Sequence, residues 1–206
     1  MITFQDRDAS EIFGSHHAAL LRRCIHLAWE DWSTSPYGAQ MQTKSFRAQF
    51  MSNQIIYWAK QETEGLSDVR VDTVHGNLGL VIQNRVFVRP KYARMNFRSS
   101  NYPTKSAIAF HDQSVDLFGG IARLEVIYTL NALGTAIQDI CLTQRHQNKI
   151  MWLLPLLGDT ELTQSNLVPM SGQERSGTAA DRIIKTNKKS HGTAQQDQPK
   201  RGGDAV

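Results

Sequence analysis

Gly65 divides the chain into two periodic regimes. Ahead of it apolar side chains recur at helical spacing, and beyond it they alternate. A helical repeat cannot lie flat as a strand, nor a two-residue repeat wind into an amphipathic helix, so the switch restricts the chain to helices first and sheet second. Ile12, His16, Leu20 and Cys24 recur four apart, flanked by Phe13, Leu21 and Ala28. The Asp8-Ala9-Ser10-Glu11 run has the form of a capping box, so one helix is predicted from an Asp8 N-cap. It should stop at Ser33-Thr34-Ser35-Pro36, because the residue before a proline is steered out of the αR region. A second helix is predicted over about residues 44–64. Phe46, Phe50 and Tyr57 form one of its stripes, Met51, Ile55 and Trp58 a neighbouring one, and Gly65 ends it.

Beyond Gly65, Val69, Val71 and Thr73 alternate with Arg70 and Asp72. Leu78–Gln83 and Val86–Arg89 read as a hairpin turning near Asn84, with Pro90 marking its end or an edge. Residues 93–121 lack a clear period and read as a long functional loop. Leu124, Val126, Tyr128 and Leu130 then alternate up to a turn at Asn131–Gly134. A strand over residues 136–144 and a turn at Arg145–Asn148 follow, and Ile150–Leu156, apolar on both faces, reads as a central or covered strand. The predicted fold is α+β: two N-terminal helices on an antiparallel sheet of five or six strands. Leu20, Leu124, Val126 and Trp152 should lie in its core.

Past Gly158 aromatic residues vanish, and Gln, Ser, Thr, Gly and Lys dominate. Six basic residues between Arg182 and Arg201 meet one acid, Asp197. Such a segment buries too little surface to offset its ordering entropy. The expected organisation is one domain over residues 1–157 and a disordered polar, basic tail over residues 158–206. Cys24 and Cys141 form no C-x-x-C pair, which argues against a disulfide framework or zinc ribbon. The N-terminus carries acids where a signal peptide needs positive charge, and no run approaches the roughly 18 apolar residues of a membrane span. A cytoplasmic protein without a membrane partner is expected.

The net charge of +4 is unevenly spread. Between Asp72 and Asp112 there is no acidic residue. That window holds Arg85, Arg89, Lys91, Arg94, Arg98 and Lys105, interleaved with Phe87, Tyr92, Phe97, Tyr102 and Phe110. Guanidinium forks match phosphate oxygens and aromatic rings stack on bases, so the pattern suits a phosphate-bearing or nucleic-acid surface. A solvated strand edge kept monomeric by positive charge fits it as well.

The histidines carry weaker signals. His26 and Glu30 stand four apart with Arg22 a turn earlier, which reads as helix decoration, and the spacing is not that of a zincin. His16, in line with Ile12 and Leu20, reads as a half-buried histidine, with His17 on the helix flank. His111 and Asp112 close the basic window and are its candidates for acid–base chemistry. There is no phosphate-binding P-loop, dinucleotide fingerprint, nucleophile elbow or nuclease carboxylate–x–lysine run, so no cofactor or metal is expected.

The stretch VFVRPKYARMNFRSSNYPTKSAIAFHDQ and the meander ending KIMWLLPL resemble a family of small phage and mobile-element proteins of prokaryotes. The matching elements are Arg98-Ser99-Ser100-Asn101, Pro103-Thr104, Phe110-x-x-Gln113 and the strand-rich end, over about residues 85–156. The resemblance implies the setting of a toxin–antitoxin or phage-defence pair, and it assigns no catalytic residue. With the basic window it yields the expectation of a toxic component that acts on nucleic acid or another phosphate-bearing target. Arg85, Arg89, Lys91, Arg94, Arg98 and Lys105 would position phosphates, with Asn101 and His111 nearest any chemistry. The alternative is a non-enzymatic module that docks a protein partner, such as a cognate antitoxin or regulator.

Overall fold

A computed structural model describes residues 4–14, 16–38, 40–41, 43–99, 104–116 and 118–156. The boundary expected at Leu157 and the tail beyond it lie outside the described residues. In order come α1 (Asp6–Phe13), α2 (His16–Thr34), α3 (Lys44–Glu62), β1 (Val69–Val74), β2 (Asn77–Ile82), β3 (Val86–Tyr92), α4 (Lys105–His111), β4 (Ala122–Leu130), β5 (Ile137–His146) and β6 (Lys149–Pro155). The α+β class is thus present. No described helix is long and apolar enough to cross a membrane.

The first predicted helix is two. α1 ends at Phe13, where Gly14 caps it and its N–H donates to the Ser10 carbonyl. The capping box is also set earlier than predicted: Gln5 is the N-cap, and its amide N–H donates to Asp8 Oδ2 at 2.9 Å. The break resets the helical phase and exchanges the roles of two histidines. His17 is fully buried while the His16 side chain is 56% exposed. α2 ends at Thr34, ahead of Pro36, as predicted.

Of the two stripes on α3, only one is core. Met51 and Ile55, with Ala59, are completely buried, whereas Phe46 and Phe50 pack at the rim on Trp32 and Tyr57 is exposed. Trp58 Nε1 donates to Asp31 Oδ2 at 2.6 Å, joining α3 to α2. Ile12, Leu21, Ile25, Met51 and Ile55 meet Leu80, Ile82, Val88, Leu124, Val126 and Leu142 in one apolar core between helices and sheet. Leu20, Leu124 and Val126 are buried as expected; Trp152 is half-buried at the margin.

The six strands are ordered β1 to β6, but the sheet is mixed rather than antiparallel. β3 and β4 pair in parallel, with Arg89 opposite Glu125. Parallel neighbours require the chain to cross from one end of the sheet to the other. Residues 93–121 make that crossing, and α4 lies in the segment that lacks a period in sequence. β6 lies at the sheet edge, not its centre, with Met151 exposed.

The alternation on β4 places Leu124, Val126 and Tyr128 against the helices and Arg123, Glu125 and Ile127 on the opposite face. That second face is covered too: every residue of β4 is buried. Its cover includes Phe110 of α4 and Phe118, which pack with Phe87.

Candidate functional site

A carboxylate and two guanidinium groups lie beneath that cover. Burying unpaired charge costs several kcal/mol, so such groups persist only when each satisfies the others. Glu125 is 1% exposed. Its Oε1 accepts from Arg89 Nη2 at 2.8 Å, and its Oε2 accepts from Ser99 Oγ at 2.7 Å. Arg89 Nη1 donates to Asn77 Oδ1 at 2.8 Å, and its guanidinium lies over the Phe110 ring, 3.9 Å from the centroid. Arg145 enters from β5: its Nη1 donates to Ser99 Oγ at 2.9 Å and lies 3.7 Å from Glu125 Oε2. The Nε atoms of Arg89 and Arg145 are buried and have no hydrogen-bond partner. His111 completes the group from the end of α4, with Nε2 3.5 Å from both Glu125 Oε1 and Arg145 Nη1.

Titration of these groups follows from their burial and from one another. Burial pushes the His111 ring down to about 4, assisted by the positive charges of Arg145, Arg89 and Lys91 and opposed by Glu125. The ring is therefore neutral at physiological pH and serves as a hydrogen-bonding group. For Glu125, burial acts upward, but the charge of Arg89 and the hydrogen bonds from Arg89 and Ser99 more than offset it and hold the carboxylate below its ordinary range.

α4 is held over this cluster by Arg123. Its Nη1 donates to the Ala109 carbonyl at 3.0 Å, and its Nη2 donates to those of Asp112 and Val115 at 2.7 and 2.8 Å. Gln113 Nε2 donates to the carbonyls of Arg123 and Arg145, tying the loop after α4 to β4 and β5. The Gln147 amide donates to the His111 carbonyl at 2.8 Å.

A pocket of about 700 Å³ opens beside the cluster. Arg94, Arg98 and Arg145 line it with Ser99, His111 and the carboxylate of Asp112, and Asn96, Gln147 and Asn148 add neutral polar groups. Asp112 is held below the ordinary carboxylate range, first by its hydrogen bond from the Ser114 side chain. The arrangement sets three arginines, a hydroxyl and a neutral imidazole against one carboxylate, Asp112, and the net positive lining suits capture of an anion with several oxygens.

The residues of the basic window are dispersed by the fold. Arg94, Arg98, His111 and Asp112 meet at the pocket. Arg89 lies within the buried cluster, paired with Glu125. Lys91 is half-buried, and burial followed by the charge of Arg89 lowers its pKa. Arg85 stands at the β2–β3 turn, 3.6 Å from Glu11. Lys105 lines a separate cavity of about 290 Å³ with His75 and Phe118. Asn101 lies outside the described residues.

Two members of the site, Glu125 and Arg145, were not singled out in the sequence. Glu125 had a signal, a charged side chain inside the apolar run L-E-V-I-Y, where charge needs a buried partner; Arg145, read as the start of a turn, is instead the penultimate residue of β5. Comparison with known protein families, curated proteins and solved structures gives no match.

Proposed function

We propose that this protein binds a phosphate-bearing target, nucleic acid foremost, through the pocket of Arg94, Arg98, Ser99, His111 and Arg145. In this reading it is the toxic component of a prokaryotic defence or toxin–antitoxin module, the setting that the resemblance of residues 85–156 implies. The supporting observation is the convergence of three arginines on one pocket, with Arg145 braced by Ser99 and Glu125. Bracing matters because an arginine already fixed in position loses little side-chain freedom when it meets an anion. His111, with a pKa of about 4, is a poor match to general-base work near neutrality and is better placed to hydrogen-bond a phosphate oxygen.

A second reading rests on the apolar rim. Ile108, which lines the pocket, is 58% exposed, and Met95, between Arg94 and Asn96, is 63% exposed. Exposed large apolar groups beside a charged pocket also suit a protein partner such as a cognate antitoxin.

Salt dependence separates the two. Each phosphate contact on duplex DNA contributes about 0.9 to the slope of log K against log salt. Arg94 and Arg98 are exposed, so replacing both with Ser leaves the Glu125 cluster intact. Binding of the double variant to DNA or RNA should weaken, with the slope on duplex DNA falling by about two. A wild-type chain that binds neither at low salt overturns the phosphate reading, and the partner-docking one then leads.

A further inference from the structure

On the helical side of the sheet, away from the pocket, three side chains converge that the phosphate reading leaves unused. His17 is buried at the start of α2, and its Nδ1 lies 2.9 Å from the Ile12 carbonyl oxygen. A carbonyl only accepts, so Nδ1 carries a proton and the ring is held with Nε2 outward. Nε2 meets Asp68 Oδ2 at 2.8 Å. His16 Nε2 lies 3.5 Å from the same oxygen, and the two imidazole rings are 4.0 Å apart between centroids. One ligand atom from each residue falls within 4.8 Å of the others.

We propose that His16, His17 and Asp68 bind a late first-row divalent cation, with zinc as the test case. A second proton on His17 closes the contact with Asp68 as a simple ion pair, but it gives His16 no role. A cation shared by Nε2 of both rings and Oδ2 uses all three. With metal–ligand bonds of about 2.0 Å, the 2.8 and 3.5 Å separations subtend about 90° and about 120°, on either side of the tetrahedral angle. The hydrogen bond from His17 Nδ1 to a backbone carbonyl is the support that metal-binding histidines ordinarily have: it sets the tautomer and aims the free nitrogen. Two imidazoles and one carboxylate form a donor set suited to zinc, cobalt or nickel rather than calcium or magnesium. With His16 56% exposed and Asp68 34% exposed, the remaining coordination positions face solvent. The cation would pin the start of α2 to the segment that enters β1.

The test uses the full chain, stripped of metal with a chelator and then titrated with Zn2+ or Co2+. At a hundredfold excess over Kd, Zn2+ should raise Tm by about 5–10 °C. Co2+ should give the visible absorption of a four- or five-coordinate site. His16→Ala and Asp68→Asn change exposed or half-exposed groups, and their folding can be checked by circular dichroism. Both should lose the Zn2+ shift and the Co2+ spectrum, while His26→Ala keeps them. Absence of a shift in the wild type overturns the proposal. A shift that survives in both variants overturns it too, since it places the cation elsewhere.

Discussion

Glu125 holds a carboxylate between Leu124 and Val126, both fully buried, and is itself almost as inaccessible. What keeps it charged is the pair of guanidinium groups that would otherwise be buried without a counter-charge. Removing one member of such a set leaves the others uncompensated, at a cost of roughly 3–5 kcal/mol. Glu125→Gln preserves the shape but not the charge, so a loss in that range is expected from urea unfolding. A loss under about 1 kcal/mol would show that water reaches Arg89 and Arg145. Single residues were the least legible level of the sequence. Four residues of the basic window and its end, Arg94, Arg98, His111 and Asp112, share one pocket. The window could not separate an arginine spent on an internal pair, such as Arg89, from one facing solvent, such as Arg98. Both are arginines in a segment free of acids, and Arg89's partner lies 36 residues away on another strand.

Elements with strong local signals were legible. The β2–β3 turn is centred where the alternation breaks, with Gln83 and Asn84 both in the left-handed region and the Arg85 amide donating to the Ile82 carbonyl. This is the geometry that matches the twist of a hairpin. α2 and α3 ended within two residues of the predicted points. α4 was not legible, being seven residues inside a stretch without helical period, fixed by tertiary contacts rather than by its own pattern. The parallel β3–β4 pairing was hidden for the same reason, since it depends on the crossover that α4 completes. Arg123 is the main tie between α4 and the sheet, and Arg123→Met keeps the stem while removing donors to three carbonyls. Amide exchange over residues 105–115 should then accelerate by at least tenfold, with β4 and β5 still protected. Phosphate or nucleic-acid binding should weaken with it, because α4 carries His111 into the pocket wall. Unchanged exchange in α4 would mean that the packing of Phe110 and the hydrogen bonds of Gln113 and Gln147 suffice to hold it down.

Across the whole molecule the sheet separates two kinds of interior. The α1–α3 side is mainly apolar, whereas the α4 side buries charge and an imidazole, through which acid should act. His111 titrates at about 4 in the folded protein, against about 6.5 for an unfolded ring. Between those values the unfolded chain binds the extra proton and the folded one does not, so stability rises with pH across the window. The contribution is complete above about pH 6.5 and is lost as pH falls towards 4, amounting to roughly 3 kcal/mol over the full interval. Glu125, held below its ordinary range, acts in the same direction but only at pH values below that range. His26 is also lowered by burial and by Arg22, so the wild-type curve alone does not isolate His111. Subtraction does: His111→Gln cannot titrate, and urea unfolding at pH 7.5 and pH 5 should show a smaller acid-induced loss in the variant than in the wild type. The difference should approach 2 kcal/mol at pH 5, where the unfolded ring is almost fully protonated. Equal losses in the two proteins would show that His111 is hydrated when folded, and that acid enters the structure through the helices instead.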